Sequence, residues 1–240
     1  MAAIDEIGAD LFRISTFVPD INMQFNQFVL RDDEPVLFHT GLKTHFDVTL
    51  QAVSKVIRPQ DLRWIRFSHF EADECGALGL WQRVATRSAA VCSLVAKAVS
   101  IDDSAALRPA LGLTDGEVLT TGKYRLRLIQ TPHVPHCWEA AMLFEETQGT
   151  LFCSDLFHHN GDAPAHTGSD VVEPFKAKLL GDQAGPFAFY MPWTSQTQPI
   201  LLRLAALRPR TLAIMHGSTF IGDGGQALTD AAGMMKEILG

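Results

Sequence analysis

The chain has 240 residues, 47% of them hydrophobic and 20% charged, with a formal net charge of −7. That is ordinary globular composition, long enough to bury a sizeable core, and the negative balance excludes a general nucleic-acid binder, which needs a basic face. No apolar stretch reaches membrane-spanning length, the acidic start Met1–Asp10 is not a secretory signal, and Cys75, Cys92, Cys137 and Cys153 form no C-x-x-C pair, so the sequence reads as a cytoplasmic protein with reduced thiols.

In chain order, 11–18 and 24–30 read as strands split by the turn Pro19-Asp20, and 36–41 as a short buried strand ending at Gly41. Residues 48–57 have helical spacing and stop before Pro59. The strand 63–68 is followed by a helix from Gly76 to about Arg87, with Leu78, Trp81 and Val84 at three-residue intervals. The apolar run 90–98 is read as a strand. Strands follow at 117–120 and 124–130, then a hairpin of 140–145 and 150–154 around Gln148-Gly149. Residues 160–190, rich in Gly, Pro, Asp and His, read as an irregular cap over a site. A helix at 194–207, a strand at 211–215 and a helix at 226–239 complete the order. No Gly/Ser/Pro-rich linker divides the two similar halves, so the order predicts one α/β domain over 1–240: two sheets face to face with helices outside.

Between the strand at 63–68 and the helix after it stands His69-Phe70-Glu71-Ala72-Asp73-Glu74-Cys75-Gly76. Four of the six residues from His69 to Glu74 can bind a metal. In an extended segment His69, Glu71 and Asp73 leave the same face. Three further candidates stand at strand ends or in loops beside them: His136, Asp155 and His216. Functional residues collect at such places because the scaffold is rigid and the loops converge. A set of this density predicts metal binding. Around it, His158, His159 and His166 read as solvated loop residues, with room for one of them to line the pocket, and His133 as a residue that either supports a ligand from behind or lies on the surface. Tyr190, Trp193 and Phe187 read as packing near the rim, and Tyr190 as a candidate hydrogen-bond donor to a bound ligand.

The set His69-x-Glu71-x-Asp73, His136, Asp155 and His216-Gly217 resembles the metallo-β-lactamase fold superfamily. Within it, the pattern is most similar to the diiron domain of flavodiiron proteins and to stand-alone oxygen-binding diiron proteins. The resemblance implies a four-layer αββα sandwich. It also implies two metals: His69, Glu71 and His136 on the first, Asp73 and His216 on the second, and Asp155 bridging both, with open positions for a small ligand. Two departures stand out. Glu74 occupies the place of a usual histidine, where it either binds the second metal or turns outward to accept a hydrogen bond. His39 occupies the place of a usual aspartate, a position for orienting ligands. Flavodiiron proteins also continue into an FMN-binding flavodoxin domain. Nothing in these 240 residues offers a phosphate loop, Gly222-Asp223-Gly224-Gly225 being a turn before a helix.

The donor types favour iron. The hydrolase form of the motif, H-x-H-x-D-H, has a neutral imidazole where Glu71 stands, so the present set carries one more negative charge. Hard anionic oxygens stabilise iron, its ferric state above all, although carboxylates also bind zinc and manganese. The leading expectation is a diiron protein that binds, and with an external redox protein reduces, O2 or NO. The alternatives are a metal-dependent hydrolase of an ester, lactone, thioester or phosphodiester, in which two metals activate a bridging water, and a non-catalytic oxygen sensor. Family members often form dimers, so a homodimer is compatible with the resemblance.

Overall fold

The computed structural model describes residues 1–240, and its apolar residues divide among three cores set by the two-residue alternation of the strands. The first sheet contains β1 (Ala3–Gly8), β2 (Leu11–Val18), β3 (Met23–Leu30), β4 (Val36–Phe38), β5 (Trp64–Arg66), β6 (Ala89–Ser93) and β7 (Leu111–Leu113), in that spatial order. It is antiparallel from β1 to β4 and parallel from β4 to β7. The second contains β8 (Val118–Thr120), β9 (Arg125–Gln130), β10 (Ala141–Glu145), β11 (Thr150–Ser154), β12 (His166–Thr167), β13 (Thr211–Ile214) and β14 (Thr219–Ile221). Its spatial order is β12-β14-β13-β11-β10-β9-β8.

One core lies between the sheets. Phe28 and Leu30 of β3, Val36 and Phe38 of β4, and Phe152 of β11 belong to it, while Val29 and Leu37 join a core under the first sheet's helices and Leu151 and Cys153 one under the second's. Phe38 and Phe152 stack across the interface with centroids 3.6 Å apart and planes 7° from parallel. The helices α1 (Phe46–Val53), α2 (Ala72–Cys75), α3 (Leu78–Val84) and α4 (Leu94–Ala96) follow strands of the first sheet; Trp81 of α3 packs on it and donates Nε1–H to the Thr40 carbonyl at 3.0 Å. The helices α5 (Val172–Gln183), α6 (Thr197–Ala205) and α7 (Gly224–Leu239) cover the second sheet with Phe175, Leu201 and Leu228 among their wholly buried residues. The result is the expected four-layer αββα sandwich. No helix is long and apolar enough to cross a membrane.

Several local expectations are corrected. The run 90–98 is a strand only to Ser93, whose hydroxyl accepts from Ala96 N–H at 3.1 Å and starts α4, continued by a π-wound segment Lys97–Ala105. The supposedly irregular 160–190 contains the twelve-residue α5, whose buried stripe is only Phe175, Leu179 and Asp182 on an otherwise polar helix. Strands β1, β7 and β14 were not expected; all are edge or near-edge strands that owe their form to a neighbour's hydrogen bonds.

Candidate metal centre

The topology gathers the candidate residues at one end of the sandwich. β9 and β11 both run antiparallel to β10, and β13 runs parallel to β11, so all three finish on the same side. His136 follows β9, Asp155 follows β11, and His216 follows β13. From the other sheet, β5 delivers His69 and Glu71. The backbone bends over Ser68–Phe70, is extended at Glu71 (φ −142°, ψ 163°) and then winds into α2. Asp73 and Glu74 are therefore neighbours on a helical turn, about 100° apart around its axis, and they diverge: Asp73 points to His216, Glu74 into the interior. The turn is tied down by Gly41 N–H to the Asp73 carbonyl at 2.9 Å and Thr40 N–H to the Glu74 carbonyl at 2.8 Å.

Two donor sets face each other across Asp155. Donor atoms of His69, Glu71, His136 and Asp155 all lie within 4.8 Å of one another. His136 Nε2 is 2.9 Å from Asp155 Oδ2 and 3.2 Å from Glu71 Oε2; His69 Nε2 is 2.9 Å from Glu71 Oε2 and 3.6 Å from Asp155 Oδ2. On the other side, His216 Nε2 is 3.1 Å from Asp155 Oδ1 and 3.3 Å from Asp73 Oδ2. The two oxygens of one buried carboxylate thus serve different sets. With metal–ligand bonds of ~2.1 Å, neighbouring donors on one ion stand about 3.0 to 3.4 Å apart, and these spacings fit that geometry.

Residues 23–217 match the model of the ODP family beta lactamases. The chain belongs to this family. Among characterised proteins it is similar to the rubredoxin-oxygen oxidoreductase of Megalodesulfovibrio gigas, 24% identical over 82% of this chain and 49% of that protein. The chain thus spans about half the length of that relative. Among solved structures it resembles the flavodiiron protein of Giardia intestinalis, with a TM-score of 0.80 at 16% identity over 99% of this chain and 60% of that one. It also resembles the Flv1 flavodiiron core of Synechocystis, with a TM-score of 0.80 at 18% identity over 98% of this chain and 61% of that one. These matches share the metallo-β-lactamase-type sandwich described above.

The two places where this member of the ODP family departs from the expected pattern touch each other: His39 Nδ1 lies 2.7 Å from Glu74 Oε2, both side chains buried. Glu74 does not stand with the other donors, nor does it turn outward. His39 hydrogen-bonds to none of the candidate donors and connects to them only through Glu74. The three remaining histidines share one arrangement, with Nε2 toward carboxylates and Nδ1 toward another partner. His216 Nδ1–H donates to the Gln24 carbonyl at 2.7 Å, His69 Nδ1 meets Ser68 Oγ at 2.5 Å, and His136 Nδ1 meets Cys137 Sγ at 3.2 Å. Such partners fix ring orientation and tautomer.

Backbone strain surrounds the site. His39, His133, Cys137, Ser154 and Phe157 have φ between 52° and 68°, a conformation that costs a non-glycine residue of order 1–3 kcal/mol and clusters where geometry is functional. Gly217 has φ +143°, its carbonyl accepts from Asn26 Nδ2 at 2.8 Å and Arg13 Nη2 at 3.2 Å, and a Cβ there would meet His159 Nε2 at 2.3 Å. The His-Gly pair is therefore a steric requirement for placing His216.

Without metal, protons hold this geometry. Burial pushes the His69 imidazole down, but hydrogen bonding to Glu71 and the charges of Glu74 and Asp155 outweigh it and raise it to about 9. Burial is likewise outweighed at His136, held up at about 12 first by Asp155, and at His216, held up at about 10 by Asp155 and Asp73. Burial would raise Glu71, yet its hydrogen bonds with His136 and His69 bring it down to about 2. Asp155 falls well below the usual carboxylate range for the same reason, through His136 and His216. These are two faces of one set of interactions.

A cavity of about 140 Å³ opens on the second donor set, lined by Asp73, His216, Tyr190, His158 and Phe25 among others. Tyr190 donates its O–H to Asp155 Oδ2 at 2.9 Å, and Phe187 lines the cavity, whereas Trp193 packs against the helix-side core. His158 is buried, not solvated: Nδ1–H donates to the Asp155 carbonyl at 2.8 Å and Nε2 lies 3.2 Å from Asp182 on α5. His166 is exposed as expected. A larger cleft of about 590 Å³ lies on the outer side of Glu71, between Lys43, Phe70 and Arg83. Ser68, Ser154, Asn26 and Asp182 had no sequence signal; a serine or amide acquires its role only from the fold.

Proposed function

We propose that this protein is a diiron protein that binds O2 or NO at the His69, Glu71, His136, Asp155, Asp73 and His216 site. The carrying observation is Asp155, with Oδ2 in the set of His69, Glu71 and His136 and Oδ1 in the set of His216 and Asp73. One carboxylate shared in this way supports a dinuclear centre rather than two separate ions. Three carboxylates against three imidazoles support iron as the metal. Two irons held there would supply one-electron chemistry at each ion and open positions for a diatomic ligand.

The chain's own residues have separable tasks in this reading. Asp155 and Glu71 hold charge close to the ions. Gln24, Ser68 and Cys137 fix the imidazole rings. Tyr190 steadies the shared carboxylate from the cavity side. Phe25 and Phe187 give apolar walls to a space of about 140 Å³, a size suited to a small gaseous ligand. All the elements of residues 1–240 belong to the one sandwich, so repeated reduction takes electrons from outside them, as the name of the rubredoxin-oxygen oxidoreductase relative suggests. Binding alone, as in a sensor, needs no donor. The four cysteines are unpaired, which supports a reducing compartment and a cytoplasmic protein.

Asp155→Ala tests the shared carboxylate. The variant is expected to lose tight binding of the second ion, read as metal per chain after dialysis. Two tightly held ions in Asp155→Ala would refute the bridge.

A further inference from the structure

Glu74 is wholly buried beneath the candidate ligands. Its Oε2 accepts from Ser68 N–H at 2.8 Å and faces His39 Nδ1 at 2.7 Å; its Oε1 accepts from Ser154 Oγ at 2.5 Å and Ser68 Oγ at 3.1 Å. Both oxygens are therefore committed to interior partners, and neither is free for a metal. Ser68 Oγ also lies 2.5 Å from His69 Nδ1 and 2.7 Å from Ser154 Oγ.

Proton inventory gives these contacts a direction. A histidine that presents Nε2 to a metal carries its proton on Nδ1. At His69 that N–H points to Ser68 Oγ. The Ser68 hydroxyl has one proton of its own, and with Nδ1–H donating into it, that proton goes onward, to Glu74 directly or to Ser154, whose proton ends on Glu74. Every route from His69 finishes at the same carboxylate, 3.9 Å from His69 Nδ1. In this low-dielectric interior such a chain is cooperative.

We propose that Glu74 is a positioning residue for His69: through Ser68 and Ser154 it fixes the ring and lowers the reduction potential of the metal centre. A carboxylate at the far end of the chain makes the imidazole a stronger donor and adds a negative charge near the ions, and both favour the more oxidised state. The redox part rests on the diiron reading above; the positioning part does not.

The test uses the full chain with Glu74→Gln, Ser68→Ala and the double variant. Metal content, metal affinity and midpoint potential are measured for each. Glu74→Gln is expected to keep two metals per chain, bind them about 10–100-fold more weakly, and shift the midpoint potential upward. In the Ser68→Ala background the same change is expected to shift affinity and potential clearly less than in the wild type, because the chain is already cut and only the through-space effect of the charge is left to lose. Should Glu74→Gln fail to fold, Ser68→Ala alone carries the prediction, an upward shift with both metals retained. An unchanged potential and affinity, equal shifts in both backgrounds, or loss of one metal from Glu74→Gln would each overturn the proposal. A wild-type protein that holds zinc and shows no redox response would end the diiron reading, while the affinities for zinc would still decide whether the chain from His69 to Glu74 exists.

Discussion

Loading the metal-free protein with a redox-inert ion such as Zn²⁺ should expel about three protons at about pH 7.5, one from each ligating imidazole. His69, His136 and His216 are held up at about 9, 12 and 10, so all three are charged at that pH. Three unperturbed histidines, at about 6.5, would together release only about 0.3 of a proton. A bridging water that ionises adds one more. Calorimetric titration in two buffers of different ionisation enthalpy reads the number directly. Asp155→Asn, which removes the carboxylate facing both His136 and His216, should lower it. Release below about one proton in the wild type would show that the imidazoles are neutral and that the carboxylate contacts do not form as described.

The same interactions set how the metal-free fold responds to pH. Because the folded-state value of His69 is raised, its contribution is fully present below about pH 6.5 and lost as pH rises through about 9. Because that of Glu71 is depressed, its contribution is present above about pH 4.5 and lost as pH falls toward about 2. Metal competes with the histidine protons, so apparent metal affinity rises across the range in which they are displaced.

Two further substitutions probe the frame. Gly217→Ala should displace His216 against His159, lowering the metal content and costing about 1–3 kcal/mol in urea unfolding; an alanine variant with full metal content and unchanged stability would show that the +143° conformation is not required. Phe152→Ala removes the ring that stacks on Phe38 at 3.6 Å between the sheets, and should cost about 3–5 kcal/mol in the same assay while leaving the metal-facing side chains in place; a loss below 1 kcal/mol, to order of magnitude, would mean the inter-sheet core collapses around the gap.

The sequence is most legible where chemistry forces residue type and place together. His69, Glu71, His136, Asp155 and His216 stand out because strand ends rarely collect so many metal-binding groups, and the hairpin of β10 and β11 because alternation and a glycine turn agree. Legibility fails where tertiary context decides. Nothing in Ala3–Gly8 outweighs its two acids until β2 supplies a pairing partner. The stripe Phe175, Leu179 and Asp182 is too sparse to announce α5. The segment 69–74 carries the right ligands, but a uniformly extended reading would put Asp73 on the face of His69 and Glu71 and leave Glu74 opposite; the turn into α2 instead sends Asp73 to the second donor set and buries Glu74. His39 and Glu74 look like two independent departures in the sequence and are one buried contact in the fold.

The most direct test of the central claim is metal content together with the optical spectrum of protein purified without oxygen and then exposed to air. The account predicts two irons per chain, a colourless reduced protein, and an absorption band that grows in air. A band that persists would point to binding or sensing, and one that decays rapidly with added reductant to turnover. Two zinc ions per chain and a spectrum indifferent to air would contradict it.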